Sequence, residues 1–244
     1  MRKVLSQLRR AVDDYGLISE GDVIAVGVSG GKDSLVLLAG LAALKKFYPK
    51  KFDIIGITLD MGFEGADYSP ISEYCREQGI DYRIIKTEIG KIIFDVRKES
   101  NPCSLCSRMR RGALNEEAVR LGANKVALGH NFDDAVETFM LNLFFEGRIG
   151  CFSPKSYLDR REITVIRPII YMPERDCSSA AKRLSLPICS SLCPANEHTE
   201  RENMKSLLRE LEKDNKGLRE RIFGAMVRKN IDGFGAFERE DEEK

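Results

Sequence analysis

The sequence predicts an α/β fold in which a parallel sheet carries helices on both faces. Short apolar segments rich in β-branched residues recur along the chain without polar alternation, as in strands that are covered on both sides. Between them lie segments whose apolar residues have helical spacing. This alternation of strand and helix is typical of a wound parallel sheet. Because ligands of such sheets bind outside the carboxyl ends of the strands, we expect the functional residues at that edge.

The predicted elements follow one another in a regular order. Strands are expected at 23–28, 52–59, 82–86, 125–128 and 162–166, and helices at 1–15, 35–47, 69–78, 107–121, 133–145, 173–184, 200–214 and 218–229. This order divides the chain into an N-terminal helix packed on the domain (1–20), a central domain (21–200), and a helical extension with an acidic tail (201–244).

Composition places the chain among ordinary globular proteins. It has 244 residues, of which 43% are hydrophobic and 32% charged, so one large domain with small additions is expected. No apolar stretch is long enough to span a membrane, and the N-terminus is charged, which predicts a cytoplasmic protein. The net charge of +1 means that nucleic-acid binding would need local basic clusters, such as Arg108, Arg110 and Arg111.

Residues 29–34 read Ser-Gly-Gly-Lys-Asp-Ser directly after the first predicted strand. Glycines let the backbone approach a ligand closely, and the following helix N-terminus favours phosphate. The pattern is not the common P-loop, because position 26 is Val and position 33 is Asp. Asp33 would repel phosphate unless Mg²⁺ bridges the two. The alternative is a purely structural turn.

Two further patterns carry candidate chemistry. Gly-His-Asn-Phe-Asp-Asp at 129–134 follows a predicted strand end, so Asp133 and Asp134 are either magnesium ligands or acids that complement a helix dipole. Cys103 and Cys106 lie one turn apart at a predicted helix start, a position that favours metal ligation or redox chemistry. The sequence has seven cysteines, and in a cytoplasmic protein a disulfide framework is not expected.

A second cysteine pair, Cys189 and Cys193, has looser spacing. Two pairs of thiols are the usual set of a structural zinc site, and reduced thiols without a metal are the other alternative.

These motifs together resemble those of a known family. The 29–34 loop resembles the pyrophosphatase loop of the N-type ATP pyrophosphatases, the PP-loop superfamily. The 129–138 segment resembles their Gly-His-x-x-Asp-Asp-x-x-Glu-Thr motif, and residues 103–112 match the Cys-x-Leu-Cys-x-Arg-x-Arg-Arg-Gly pattern of the tRNA 2-thiocytidine synthetase-like family. The resemblance implies an adenine nucleotide α-hydrolase-like, Rossmann-like ATP pyrophosphatase fold. It also implies an enzyme that adenylates a pyrimidine C2 oxygen in tRNA and replaces it with sulfur, forming 2-thiocytidine.

The resemblance also implies cofactors and their ligands. Cys103, Cys106 and Cys193 would hold a [4Fe–4S] cluster, although Cys193 is followed by Pro194 and Ala195 rather than by the family's usual residues, so Cys189 is the alternative third ligand. Mg²⁺ would bind Asp33, Asp133 and Asp134, and Lys32 and Asp33 would act with the three cysteines in catalysis. The residues expected to bind ATP are Val28, Ser29, Gly30, Gly31, Lys32, Asp33, Ser34, Leu59, Asp60, Met61, Gly129, His130 and Asp134.

The implied partners are tRNA and a sulfur donor, such as a cysteine desulfurase or free sulfide. A homodimer is consistent with the same resemblance, and no membrane contact is expected. Two other functions share some of these features. An ATP-dependent ligase that amidates a small molecule would use the 29–34 loop without the cysteine triad, and a non-catalytic module would bind a nucleotide or zinc without releasing pyrophosphate.

Overall fold

Six strands form one sheet in the computed structural model, which describes residues 1–97, 102–189, 192–193 and 200–235. The strands are β1 (Asp22–Gly27), β2 (Phe52–Asp60), β3 (Asp81–Lys86), β4 (Lys125–Ala127), β5 (Lys155–Leu158) and β6 (Ile163–Ile166). Their order across the sheet is β3-β2-β1-β4-β6-β5. All neighbouring pairs are parallel except β5 and β6, which are antiparallel. The predicted α/β class is confirmed, with one antiparallel edge strand that was not predicted.

The helices connect these strands. They are α1 (Arg2–Asp14), α2 (Lys32–Leu44), α3 (Ser69–Glu77), α4 (Ile89–Lys91), α5 (Pro102–Arg120), α6 (Phe132–Phe145), α7 (Glu174–Arg183), α8 (Glu200–Asp214) and α9 (Leu218–Arg228). A π-helical segment, Ile92–Arg97, continues α4, and short 3-10 segments occupy Asp159–Arg161 and Ile231–Gly233. None of the helices in the described ranges is both long and apolar enough to cross a membrane.

Side chains on the two faces of the sheet enter two separate apolar layers. Ile24 and Val26 of β1 point into the larger layer, which also takes the buried faces of α1, α2, α6, α7, α8 and α9. Ala25, between them, points into the smaller layer with Leu114 and Ala118 of α5. The alternation follows from the period of two in a strand. Both faces of β1 are therefore covered, as its continuous apolar sequence predicts.

The N-terminal helix α1 packs on the domain as predicted. Val4, Leu8, Ala11 and Val12 are buried, and α1 contacts α2 and α7. Gly40 of α2 allows this contact, because a Cβ at that position would lie 2.8 Å from Leu8 Cδ1. The predicted division at 20 and 200 stays a prediction.

Two predicted helix starts lie too late in the sequence. The second helix begins at Lys32 rather than 35, so Lys32 and Asp33 lie in its first turn. Helix α5 includes Pro102, Cys103 and Cys106, whereas the predicted start was 107. In both cases polar residues at a helix N-terminus resembled a loop in sequence.

The sheet order positions the functional site. From β1 the chain continues to β2 on one side of the sheet, whereas from β4 it continues to β5 and β6 on the other, so a crevice opens between the carboxyl ends of β1 and β4. The 29–34 loop follows β1 and the 129–134 turn follows β4. Gly129 lets them touch, because a Cβ there would lie 3.0 Å from Ser34 N and 3.1 Å from the Asp33 carbonyl carbon.

Candidate active site

The 29–34 loop is closed by its own serines. Ser34 is buried, and its hydroxyl donates to the Gly31 carbonyl at 2.9 Å and accepts from the Ser29 N–H at 3.1 Å. Gly30 has a φ of +84°, a conformation that favours glycine. The loop leads directly into α2, whose first N–H groups have no partner within the helix. This arrangement can bind an anionic phosphate group.

Lys32 holds the positive charge of the loop between two carboxylates. Its Nζ lies 3.0 Å from Asp33 Oδ2 and 2.9 Å from Glu174 Oε1 at the start of α7. Burial alone would lower the pKa of Lys32, but Asp33 and Glu174 outweigh it and raise the pKa. Burial would likewise raise the pKa of Glu174, but hydrogen bonds from Lys205 and Lys32 lower it to about 2. The lysine and the glutamate are therefore both ionised at neutral pH.

Asp33 keeps one carboxylate oxygen available. Oδ2 pairs with Lys32, whereas Oδ1 is buried and accepts no N–H or O–H donor from the described residues. The thiol of Cys177 lies beside this carboxylate, which, after burial, is the largest cause of the raised pKa of that thiol. A buried carboxylate oxygen without a strong donor is costly unless a cation approaches it. The donor set at Asp33 therefore suits Mg²⁺ held between the carboxylate and phosphate oxygens.

Asp133 already has partners within the protein for both oxygens. Oδ2 accepts the Glu174 N–H at 2.6 Å, and Oδ1 accepts from Arg219 at 2.7 Å. The acid thereby joins α6 to α7 and α9. Its proposed role as a magnesium ligand stays a prediction, and it would have to compete with these contacts.

Asp134 belongs to a capping box at the start of α6. Its side chain accepts the Asn131 N–H at 2.9 Å, and Asn131 Oδ1 accepts the Asp134 N–H at 3.1 Å. Arg201 of α8 also pairs with Asp134 at 3.1 Å. Burial raises the pKa of Asp134, although these contacts oppose the shift. These contacts fix the start of α6. Magnesium ligation by Asp134 also stays a prediction.

His130 lies at the carboxyl end of β4, within a cluster of aromatic and cationic groups. Arg167 Nε donates to His130 Nδ1 at 3.1 Å, and the imidazole stacks on Phe152 with a centroid distance of 4.8 Å. Burial, followed by the charges of Arg167, Arg201 and Arg111, lowers the pKa of His130 to about 3. The imidazole is therefore neutral in the folded protein.

The remaining predicted nucleotide residues line the same edge. Val28 is buried, and its carbonyl accepts the Thr58 hydroxyl at 2.8 Å. Asp60 ends β2, and its Oδ1 accepts the Gly62 N–H at 3.0 Å. Leu59 and Met61 flank it and are half-buried. Because β1 and β2 are parallel neighbours, these segments lie side by side, as expected for the wall of a nucleotide pocket.

The cysteines fall into two groups. Cys103 is exposed and Cys106 is half-buried in the first turns of α5. Burial raises the pKa of Cys106, Arg110 lowers it, and the charges of Cys193 and Cys103 raise it further, so these three thiols interact electrostatically. No three metal-ligating side chains converge on a single ion position in the ranges that the structure describes. Ligation of a cluster by these three thiols therefore stays a prediction.

Cys189 belongs instead to the phosphate side of the site. Its N–H donates to the Gly30 carbonyl at 3.0 Å, and its Sγ lies 3.5 Å from the Asp67 carbonyl oxygen. A Cβ on Gly30 would lie only 3.1 Å from Cys189 Cβ. Tyr68 connects the two groups, since the charges of both Cys189 and Arg110 act on its hydroxyl. The N-terminal end of α5 therefore lies close to the 29–34 loop.

Five residues of the site have no predicted role in the sequence. Glu174, Arg201, Lys205 and Arg219 supply most of the ion pairs around the 29–34 loop and the 129–134 turn, and Arg167 donates to His130. Arg167 follows directly after a strand end, which is a usable sequence signal. The residues of α8 and α9 reach the site only through tertiary packing, so their spacing gives no such signal. Arg219 lies in the predicted helix at 218–229 and is only 7% exposed.

Comparison with known proteins identifies the family of this chain. A family model described as a PP-loop domain matches residues 2–211. The tRNA-cytidine(32) 2-sulfurtransferase of Geobacter sulfurreducens is 41% identical over 228 residues, covering 92% of this chain and 89% of the relative. The enzyme of the same name from Cupriavidus necator is 39% identical, covering 92% of this chain and 72% of the relative.

The chain belongs to the tRNA-cytidine(32) 2-sulfurtransferase family of PP-loop proteins. The resemblance that the three motifs predict is therefore confirmed. Solved structures agree with the family's fold. The U34-tRNA thiolase NcsA from Methanococcus maripaludis, solved with its [4Fe–4S] cluster, has a TM-score of 0.76 at 26% identity, covering 93% of this chain and 77% of its own. An NH3-dependent NAD synthetase from Campylobacter jejuni, at 15% identity and a TM-score of 0.50, shares the fold alone.

Proposed function

We propose that this 2-sulfurtransferase family member uses ATP to adenylate the C2 oxygen of a cytidine in tRNA and then replaces that oxygen with sulfur. One observation carries the proposal. The 29–34 loop and the 129–134 turn are in contact at Gly129, at the carboxyl edge of the sheet, and the cysteine-bearing end of α5 lies near enough for the charge of Arg110 to act on both Tyr68 and Cys106. A phosphate site and a thiol site at one edge are what a two-step thiolation requires.

The first step forms a bond between the C2 oxygen and the α-phosphorus of ATP. The bond from that phosphorus to pyrophosphate breaks, and the base carries AMP on its oxygen. Lys32, ionised and aimed by Asp33 and Glu174, stabilises the charge that develops on the phosphates. The unpaired Oδ1 of Asp33 would hold Mg²⁺ against the same phosphates. In the second step sulfur takes the place of AMP at C2, and AMP leaves with the former C2 oxygen.

Cys103, Cys106 and Cys193 are the proposed ligands of a [4Fe–4S] cluster. Three thiolates leave one iron without a protein ligand, so the bound cluster supplies an open position for sulfide. Cys193 is favoured over Cys189 because its charge acts directly on Cys106, whereas Cys189 contacts Gly30 and Asp67. Arg108, Arg110 and Arg111 are exposed on the same helix and are the proposed contacts to tRNA phosphates.

The proposed adenylation step is tested by purifying the protein anaerobically and measuring the pyrophosphate that it releases with ATP and unmodified tRNA. Asp33→Asn should abolish release while leaving the iron content unchanged, because it removes the proposed ligand of the cation and one partner of Lys32 but no cysteine. A D33N protein that turns over like the unmodified enzyme would contradict the assignment of Asp33.

The cluster half is tested by iron and labile-sulfide analysis of Cys193→Ser beside Cys189→Ser. C193S should lose the cluster, and C189S, the matched control from the same segment, should keep it. The opposite result would move the third ligand to Cys189.

The proposed partners are tRNA and a sulfur donor. The protein would act in the cytoplasm and take sulfur from a cysteine desulfurase or from free sulfide. Supplying each source separately to the holoenzyme and measuring 2-thiocytidine by mass spectrometry distinguishes the two. A homodimer is the proposed assembly, and sedimentation of the holoenzyme at several concentrations tests it.

A further inference from the structure

We propose that Arg167 is a positioning residue that holds His130 as a neutral imidazole with its proton on Nε2, so that His130 is a permanent hydrogen-bond donor to a phosphate oxygen of the bound nucleotide. The nature of the ligand rests on the proposed function. The tautomer itself rests only on the contacts around the ring.

The chemistry of the contact determines which nitrogen carries the proton. A guanidinium has five N–H donors and no acceptor, so the 3.1 Å contact from Arg167 Nε requires an acceptor at His130 Nδ1. Burial lowers the pKa of Arg167 only to about 10, so the guanidinium keeps its charge at neutral pH. A proton on Nδ1 would place two donors against each other. The neutral ring must therefore carry its proton on Nε2.

Three strands bring these groups together at one edge of the sheet. His130 follows β4 and Arg167 follows β6, and the two strands are parallel neighbours in register. Strand β5 runs antiparallel to β6 with Lys155 opposite Ile166, which brings Phe152 and Ser153 to the same edge. The guanidinium lies 4.7 Å from the Phe152 ring centroid and donates to the Ser153 carbonyl. Phe152 thus contacts both the imidazole and the cation that orients it.

The surroundings of His130 favour an anionic ligand. The charged groups that act on it are Arg167, Arg201 and Arg111, all cations. Arg201 forms ion pairs with Asp134 and Glu137. Arg167 donates hydrogen bonds to His130 Nδ1 and to the Ser153 carbonyl. Gly129, the preceding residue, contacts the start of α2 at Ser34. Because the contacts above fix the orientation of the ring, its Nε2–H points in one direction. As a neutral donor it adds no further charge to the cationic cluster.

Nitrogen-15 NMR tests the tautomer without any assay of activity. The chain has two histidines, His130 and His198, so histidine-selective labelling gives two imidazoles, and His198→Gln leaves one. In H198Q the His130 Nδ1 should resonate as an unprotonated nitrogen and Nε2 as a protonated one at neutral pH. A protonated Nδ1, or an imidazolium, overturns the proposal. The measurement needs no change at Arg167, so it decides the point even if an Arg167 variant fails to fold.

Arg167→Met, which keeps much of the side-chain volume, then tests the role of the arginine. In the H198Q background the two His130 nitrogens should approach averaged shifts, because both neutral tautomers become available. An unchanged spectrum in a folded R167M protein would show that the arginine does not set the tautomer.

The donor role is tested by comparing His130→Gln with His130→Asn. The glutamine amide N–H₂ reaches the position of Nε2, whereas that of asparagine reaches only the position of Nδ1. H130Q should therefore exceed H130N in pyrophosphate release by about tenfold or more, the effect of losing one hydrogen bond to a charged group. Equal loss in both variants would overturn the donor role while the proposed function stands. If the unmodified enzyme releases no pyrophosphate with tRNA, the proposed function fails and the NMR result still judges the tautomer.

Discussion

Arg219 is a single buried cation that compensates several acids of the site. It lies 2.7 Å from Asp133, 3.5 Å from Glu137 and 3.1 Å from Glu212, and it is 7% exposed. Asp133 in turn accepts the first N–H of α7. Removing one partner of a buried pair leaves uncompensated charge, which costs far more than the pair contributes.

Arg219→Met should therefore lower the free energy of unfolding by about 3 kcal/mol or more. Chemical denaturation measures the loss. Arg228→Met, on the exposed end of the same helix, is the matched control and should change stability by less than about 0.5 kcal/mol. Similar losses in the two variants would mean that Arg219 contributes only through its packing in α9.

Glu137 gives the site a dependence on pH. Burial and the neighbouring charge of Asp134 raise its pKa from 4.5 to about 7, although Arg201, Arg219 and Lys205 oppose the shift. Between these two values the folded protein binds more protons at Glu137 than the unfolded chain does. The contribution of this group to the free energy of unfolding therefore falls as pH rises from about 4.5 to 7.

Glu137→Gln should flatten the pH dependence of stability in that window. When both proteins are denatured at intervals between pH 5 and 8, the free energy of unfolding of the variant should increase relative to that of the unmodified protein as pH rises. Glu210→Gln, an exposed position on α8, should leave the curve unchanged. A variant curve parallel to that of the unmodified protein would contradict the raised pKa.

At the scale of elements, the contact between the 29–34 loop and the 129–134 turn depends on the missing side chain of Gly129. The atoms that a Cβ would meet there belong to the backbone of Asp33 and Ser34. Backbone at a helix start cannot move aside as a flexible side chain can, so the loop itself would have to shift.

Gly129→Ala should therefore weaken ATP binding by about tenfold, since overpacking typically costs about 1–3 kcal/mol. Calorimetric titration with a non-hydrolysable ATP analogue measures it. Gly224→Ala is the matched control, because a Cβ there meets only the mobile guanidinium of Arg228. Undiminished affinity in G129A would mean that the two loops can separate without cost.

The elements also show what sequence patterns can and cannot predict. The strands at 23–28 and 52–59 were predicted because continuous β-branched runs reflect burial on both faces. Strand β5 was missed because Lys155–Leu158 alternates exposed and half-buried side chains over only four residues. Two of the three charge partners of Arg219 lie 82 and 86 residues away, and the spacing of residues within one helix does not predict such pairs. Motif residues could thus be located from sequence, whereas the groups that hold them could not.

For the whole molecule, a net charge of +1 gives no general attraction to tRNA, so affinity must come from where the cations lie. Several candidates are already paired with acids, including Arg9, Arg10, Arg201 and Arg219. Arg108 is exposed on α5, beside the proposed cluster ligands. Exposed cations concentrated in one region can therefore attract tRNA although the net charge is close to zero.

Arg108→Ala should weaken tRNA binding and lower the slope of log affinity against log salt by roughly one, as for the loss of one phosphate contact. Filter binding across a range of salt concentrations measures both. Arg183→Ala, at the far end of α7 from the site, should change neither. A reduced affinity with an unchanged slope would indicate a role other than phosphate contact.

The ion pair between α6 and α9 has a consequence for folding during synthesis. Asp133 and Arg219 are separated by 86 residues, so at roughly 5–20 residues per second the ribosome adds the arginine several seconds after the aspartate. During that interval the acids of α6 lack the cations of α8 and α9. We expect these acids to stay hydrated until then, and this part of the site to close only once α9 has been synthesised.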